Sequence, residues 1–402
     1  MKTVAVIAEY NPFHKGHAYQ LQRIREEFGD EVATVVIMSG NFVQRGTPAI
    51  LGKYDRARMA VECGASLVLE LPFPFSLASA EYFAFAGVSI ENDLGIVNAL
   101  SFGSECGDIV PLSLAAEKMQ EEAFERALRE RLSSKEERGK GYPRLLSEVF
   151  FEKHGSALPD SLFLPNNILA ISYISALKKL ESSIVPHTIK RHGTDVDAER
   201  NDRFAGATHL RSLFYQGDVT GAFAQIPDAL HPLWREAISR ELAPVSENAL
   251  SQLLLGHLRY DPIPEKMPLD CGGGVLRLLK KTALDARSLE ELYAQAATKK
   301  YTAARLKRAT LFSYFGVTPA SVKEKPLYTQ VLAMDDKGKK ILADIRKTAH
   351  ISLLTKPADL YKLSPAARMQ AELSYRADSV YTLSLPKPQK ASIFLRTAPY
   401  RK

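Results

Sequence analysis

Three nearly uncharged runs, Thr3–Glu9 (TVAVIAE), Val32–Met38 (VATVVIM) and Ala65–Leu71 (ASLVLEL), dominate the start of the chain, and a fourth follows at Ala99–Phe102. Short, β-branched, apolar runs of this kind read as buried strands. Between them, His17–Phe28, Lys53–Cys63 and Ser79–Ile90 carry apolar residues at helical spacing. Hydrophobic strands alternating with helices predict an α/β fold built on a parallel sheet covered on both faces. Such a sheet takes its ligands at the carboxyl ends of the strands, near a switch in strand order.

Further along, a charged amphipathic helix is expected over 113–138, another over Asn166–Leu180, and one opening at Thr208–Tyr215. Ser183–Arg191 reads as a further strand. Arg259–Pro268 carries three prolines and is the expected linker or hinge. Beyond it, Val275–Leu284, Leu289–Ala297 and Ala303–Tyr314 read as helices, and the tail after Tyr381 as extended chain. Gly272-Gly273-Gly274 precedes a helix but lacks the GK[ST] ending of a phosphate loop, so it reads as a turn.

Charge divides the chain. Residues 1–250 hold 26 Lys+Arg against 33 Asp+Glu, a net of −7. Residues 251–402 hold 27 against 13, a net of +14, and the whole is +7. A boundary near 245/246 is therefore expected, with an α/β domain over 1–245 and a basic, mainly α-helical domain over 246–402. A basic surface of that size suits a polyanion, although a solvated surface that binds nothing is the competing reading.

Cys63, Cys106 and Cys271 are odd in number and far apart, with no CxxC, which argues against a disulfide framework or zinc ribbon and for a reducing cytoplasm. The most apolar stretch, Leu67–Ile90, is interrupted by Glu70, Pro72, Pro74 and Glu81, so no membrane span is expected. The histidines outside one motif (His154, His187, His192, His209, His231, His257, His350) show no ligand spacing, and no metal site is predicted.

That motif is Ala8–Gln20 (AEYNPFHKGHAYQ), which places His14, Gly16 and His17 in the loop after the first strand, where a helix begins. Backbone N–H groups at a helix start are expected to be free for an anion, and glycine lets a phosphate approach the backbone. Two imidazoles three residues apart share one face of the opening turn and can donate hydrogen bonds to phosphate oxygens. A metal pair is less suited, because no HExxH pattern is present.

His14-Lys15-Gly16-His17 resembles the HxGH signature of the Rossmann-like nucleotidyltransferase superfamily. Gly206–Arg211 (GATHLR) is similar to the ISSTxxR-like motif of that superfamily, keeping Thr208 and Arg211 but replacing the flanking serines by Gly206 and Ala207. Together with Ser39–Gly46 (SGNFVQRG), Leu71–Phe73 (LPF), Ser101–Glu105 (SFGSE), Leu164–Ala170 (LPNNILA) and Lys299–Arg308 (KKYTAARLKR), the chain resembles the bacterial tRNA(Met) cytidine acetate ligase family over nearly its full length. The resemblance implies activation of acetate with ATP to acetyl-adenylate. The acetyl group then passes to N4 of the wobble cytidine of elongator tRNA(Met).

By that resemblance Ile7, Ala8, Glu9, Tyr10, Asn11, Pro12, Phe13, His14, Lys15, Gly16, His17 and Gln20 form the ATP loop. Gly103, Asn166 or Asn167, Arg191 and Thr208 complete the nucleotide site. His14, His17, Arg191 and Arg211 are the candidates to neutralise the α-phosphate, arginine through bidentate contacts. Asn41, Gln44 and Arg45 follow the second strand and are candidates for acetate or the target base. Lys299, Lys300, Tyr301, Arg305, Lys307 and Arg308 combine cations with an aromatic and are candidates for tRNA. Magnesium is expected from ATP chemistry alone. An adenylyltransferase for a small phosphorylated coenzyme precursor and a non-enzymatic, ATP-dependent RNA-binding protein are the alternatives.

Overall fold

The ladder at the centre of the fold joins β1 (Thr3–Ala8) to β2 (Ala33–Ser39) in parallel, with Val4 opposite Thr34, Val6 opposite Val36 and Ala8 opposite Met38. Both strands are buried along almost their whole length, which is why they read as continuous apolar runs rather than as alternating ones. The computed structural model describes residues 1–134, 137, 142–155, 160–191, 206–298 and 300–402. Lys299 and His192 lie outside the described residues.

The hairpin strands β3 (Phe42–Val43) and β4 (Thr47–Pro48) follow β2, and then come β5 (Leu67–Leu71), β6 (Ala99–Ser104) and β7 (Val185–Lys190). The connecting helices are α1 (Lys15–Phe28), α2 (Lys53–Glu62) and α3 (Ala80–Leu94), then α4 (Ile109–Lys118), α5 (Glu122–Ser133), α6 (Tyr142–His154) and α7 (Pro165–Lys179). Strands β5, β2, β1, β6 and β7 lie side by side and run parallel. The order reverses direction between β1 and β6, the switch point at which sheets of this kind open a ligand crevice beyond the strand ends. The helix expected over 113–138 is two helices within the described residues, because the chain leaves helical geometry at Glu121, the extended N-cap of α5.

Beyond α8 (Ala207–Tyr215), α9 (Val219–Ala224) and α10 (His231–Ser239), a helical group forms from α11 (Ser251–Tyr260), α12 (Val275–Ala283), α13 (Leu289–Ala296) and α14 (Ala303–Phe315). The proline-rich segment Arg259–Pro268 connects α11 to α12 inside this group rather than separating two domains. Arg259 donates to the carbonyls of Ala283 and Ala286, and Lys280 to that of Leu258, bracing the two helices across the connection. Gly273 and Gly274 have positive φ and form the turn before α12.

The boundary expected at 245/246 does not mark the end of the sheet. The chain returns as β8 (Tyr328–Met334), α15 (Asp336–Thr348), β9 (Ser352–Leu354), α16 (Pro365–Tyr381), α17 (Ile393–Arg396) and β10 (Tyr400–Arg401). Strand β8 is fully buried and runs antiparallel to β5, with β9 and β10 paired to β8. The physical reason is that β5 would otherwise be an edge strand with an open ladder, and the apolar YTQVLAM run covers it. Because β8 is antiparallel, its start and the helix α16 lie toward the rim where the parallel strands end.

Candidate active site at the strand ends

His14 is the N-cap of α1, in extended conformation, and its Nδ1 accepts the N–H of Gly16 at 3.0 Å. His17 Nδ1 accepts the N–H of His14 at 3.2 Å. A neutral imidazole that accepts through Nδ1 carries its proton on Nε2. Burial lowers the His14 pKa to about 3, with the charge of Arg191 acting the same way. His17 is held well below the ordinary range by burial, by His14 and by Arg191. The rings stack with centroids 3.7 Å apart, and Tyr10 and Phe13 pack against His17. The pair is thus two neutral, preorganised Nε2–H donors.

This corrects the expectation of free backbone donors. The N–H groups of His14 and Gly16 go to imidazoles, those of His17 and Ala18 to the His14 carbonyl, and that of Lys15 to the carbonyl of Gln225. The imidazoles, rather than the helix backbone, are left to meet an anion. Several residues of the expected ATP loop have structural partners within the fold. Tyr10 and Phe13 are core, and Pro12 is buried. The Asn11 side chain accepts the Ile50 N–H, and the Lys15 ammonium donates to the carbonyl of Ala224. Gln20 donates to the Ser101 carbonyl, tying α1 to β6 across the crevice. Ile7 and Ala8 are the last residues of β1.

Across the crevice, Arg191 follows β7 and is exposed. A Cβ on Gly103 would stand 3.1 Å from Arg191 Cγ, so glycine there lets the arginine stem cross β6 toward the histidines. Glu105 takes the N–H groups of Asn166 and Asn167 and the Asn166 side-chain amide. Asn167 returns the favour with Oδ1, accepting the N–H groups of Glu105 and Cys106. Asn167 is fully buried and Asn166 is half-buried. Of the two, Asn166 is the more exposed, and Asn167 fastens the SFGSE and LPNN segments together.

The Thr208–Arg211 pair also assembles. Arg211 Nη1 donates to the Asn11 carbonyl at 2.6 Å, and Nη2 to Thr208 Oγ1 at 3.2 Å. Gly206 at the N-cap of α8 supplies no side-chain cap. Arg211 therefore braces the loop that carries His14 from the opposite side.

Glu9 lies just past β1, and its Oε1 accepts the Gln44 N–H at 3.0 Å. Burial raises its pKa, against the charges of Arg211, Arg45 and Arg56 and the Gln44 hydrogen bond. Arg45 is exposed in the turn between β3 and β4. Gly46, with φ of +84°, has its Cα against α14: a Cβ would stand 2.5 Å from Lys307 Cβ, which only glycine avoids.

Asn41, a candidate for acetate or the target base, is turned into the interior. It is 2% exposed, its amide donates to Asp378, and its Oδ1 accepts the Lys53 N–H, so interior partners consume it. It belongs to a buried cluster absent from the sequence reading. The Lys53 ammonium meets Glu70 at 2.8 Å and Asp378 at 2.7 Å. Burial opposes the Lys53 charge, but the two carboxylates outweigh it and raise its pKa. Arg56, wholly buried, donates to the carbonyls of Glu9, Gly40 and Leu51, tying together the loops after β1 and β2. Glu70 inside an apolar strand was the available signal, because a buried carboxylate demands a partner.

The basic segment is partly internal. Lys307 pairs with Glu247 at 2.5 Å and Arg308 with Asp270 at 2.6 Å, so these two cations anchor α14 rather than face solvent. Arg305 donates to the carbonyls of Asp270 and Gly272 and stacks on Tyr301, whose hydroxyl donates to the Gly273 carbonyl. Lys300 is exposed, with its ammonium 4.9 Å from the centre of that ring. Among the described residues no group of His, Cys, Asp and Glu is placed to hold a metal, and no helix is long and apolar enough to cross a membrane.

Residues 1–393 match the HIGH nucleotidyl transferase family. The chain is 34% identical to a tRNA(Met) cytidine acetate ligase of Thermoanaerobacter sp. (strain X514), with 96% of each chain covered. It is 33% identical to one of Acetivibrio thermocellus, with the same coverage. Among solved structures, Thermotoga maritima TmcAL bound with alpha-thio ATP is 29% identical, superimposes with a TM-score of 0.90, and is covered in full along with this chain.

Proposed function

Since the chain belongs to the HIGH nucleotidyl transferase family and, within it, to the tRNA(Met) cytidine acetate ligases, we propose that it is an ATP-dependent tRNA-modifying ligase. It activates acetate as acetyl-adenylate and transfers the acetyl group to N4 of the wobble cytidine of elongator tRNA(Met), forming N4-acetylcytidine. The observation that carries the chemistry is the stacked His14–His17 pair, two neutral Nε2–H donors beside Arg191.

In the first step the acetate carboxylate attacks the α-phosphorus of ATP and pyrophosphate leaves. Negative charge grows on the phosphate oxygens, and catalysis consists mainly of positioning and electrostatic stabilisation. His14 and His17 donate from one wall of the crevice, Arg191 neutralises charge from the other, and Arg211 keeps the loop in place through Asn11. Asn166, half-buried on Glu105 just past β6, is the asparagine assigned to ATP in this reading. Magnesium would arrive with ATP as part of the substrate, where it would supply charge neutralisation at the phosphates. The +14 second half supplies long-range attraction for tRNA, with Lys300 and Tyr301 exposed enough to meet it. A cytoplasmic location belongs to the same reading.

The test is incubation with ATP, radiolabelled acetate and tRNA, each omitted in turn. Label on tRNA only in the complete mixture supports the reading. ATP–pyrophosphate exchange that depends on a phosphorylated metabolite, with unlabelled tRNA, overturns it.

A further inference from the structure

Acylation of an exocyclic amine releases a proton. When N4 attacks the acetyl carbonyl carbon of acetyl-adenylate, a C–N bond forms and the bond from that carbon to the phosphate oxygen breaks. AMP leaves with the electron pair, and one N4 proton must pass to an acceptor in the cleft.

Most titratable groups along the strand ends are committed elsewhere. His14 and His17 use Nδ1 to accept backbone N–H groups and present protonated Nε2. Glu70 and Asp378 are buried on Lys53. Glu105 uses both oxygens on the start of α7. Asp270 and Glu247 are paired with Arg308 and Lys307.

Glu9 differs from all of these. It stands one residue past β1, beside the switch between β1 and β6, and between the histidine loop and the β3–β4 turn. One carboxylate oxygen is fixed by the Gln44 N–H. The residue keeps partial solvent exposure, as the floor of a cleft does, while protein surrounds it closely enough to desolvate the carboxylate. Among the described residues, Arg211 of α8, Arg45 of the hairpin and Arg56 of α2 act on its charge, and Tyr173 of α7 is in turn acted on by it.

We propose that Glu9 is a catalytic residue of the transfer step: its carboxylate accepts an N4–H of the target cytidine and takes that proton as the acetyl group arrives. The inference rests on the ligase reading above. A carboxylate is the natural partner of the cytosine N4 amine, whereas uracil presents a carbonyl there, acceptor against acceptor. One contact thus orients the amine, selects cytosine and removes the proton. The three arginines favour the ionised carboxylate, against the burial that raises its pKa.

The test compares wild type with Glu9→Gln in two assays. Hydroxylamine traps acetyl-adenylate as acetohydroxamate without needing a base, and single-turnover transfer to tRNA(Met) reads the step that does. Transfer is expected to fall about 10²- to 10⁴-fold further than trapping, the range for loss of a general base. The wild-type transfer rate rises with pH at unit slope to a plateau, and the glutamine variant loses that slope. Glu9→Asp, which keeps a carboxylate, restores the slope and part of the rate. Equal loss in both assays, or transfer that survives Glu9→Gln, overturns the proposal. If the glutamine variant does not fold, a pH-independent wild-type transfer rate overturns it as well. A wild-type protein that makes no acetohydroxamate or labels no tRNA refutes the ligase reading itself, a different result from any of these.

Discussion

His14 and His17 are interlocked: the N–H of His14 enters the His17 ring at Nδ1, the His14 ring accepts from Gly16, and the ring centroids lie 3.7 Å apart. Protonation of either ring would break an internal hydrogen bond and place charge beside Arg191. Both pKa values are depressed in the folded chain, His14 to about 3. The unfolded chain then binds more protons below about 6.5, so stability present above that pH is lost as pH falls toward 3. Denaturant midpoints measured from pH 7 to pH 4 should drop, and His14→Gln should flatten that drop. Between pH 6.5 and 8, adenylate formation should show no histidine titration.

Lys53 sits between two carboxylates, Glu70 and Asp378, the second of which also accepts the Asn41 amide. Lys53→Met leaves Glu70 and Asp378 buried and unpaired, which costs about 3–5 kcal/mol in comparable sites. Denaturant unfolding should show that loss. The triple variant Lys53→Met, Glu70→Leu, Asp378→Leu should recover much of it, since no charge is then left buried alone. A Lys53→Met protein as stable as wild type would rule out the paired arrangement.

The two asparagines separate structure from chemistry. Asn167→Ala removes the acceptor of the Glu105 and Cys106 N–H groups at a fully buried position and should destabilise by about 1–3 kcal/mol. Asn166→Ala removes a half-buried amide bonded to Glu105 and should cost well under that in stability while raising the KM for ATP. Thermal melts and ATP titrations of the pair distinguish the roles; the reverse ranking would exchange them.

What the sequence displayed were the features that local pattern controls. Parallel strands buried on both faces must be apolar runs, and the HKGH segment declares itself through four adjacent residues. The Thr208 and Arg211 spacing is likewise one helical turn. Of the buried cluster only Glu70 left a trace, as a carboxylate inside an apolar strand; Lys53 and Asp378 left none, because Asp378 meets Asn41 and Lys53 across most of the chain and each alone looks like surface charge. The return of β8 to the sheet was equally hidden: seven uncharged residues after a helical group carry no signal of their partner. Lys307 and Arg308 counted toward a basic face only because Glu247 and Asp270, which neutralise them, lie far away in sequence.

That neutralisation divides the basic cluster into two experiments. Arg308 pairs with Asp270 at side-chain exposures of 14% and 19%, so Arg308→Ala should lower stability. Buried partners left unpaired cost more than surface ones. Its effect on tRNA affinity should be no larger than that of the lost fold. Lys300 is exposed over Tyr301, and Lys300→Ala should leave stability within about 0.5 kcal/mol. It should weaken tRNA binding and reduce the slope of log affinity against log salt by about 1, the signature of one lost phosphate contact. Tyr301→Ala should weaken binding without changing the salt slope, because stacking on a base releases no counterions. If Lys300→Ala leaves both affinity and slope unchanged while Arg308→Ala changes the slope, tRNA approaches by a different face of α14 and the Lys300–Tyr301 surface is not its landing site.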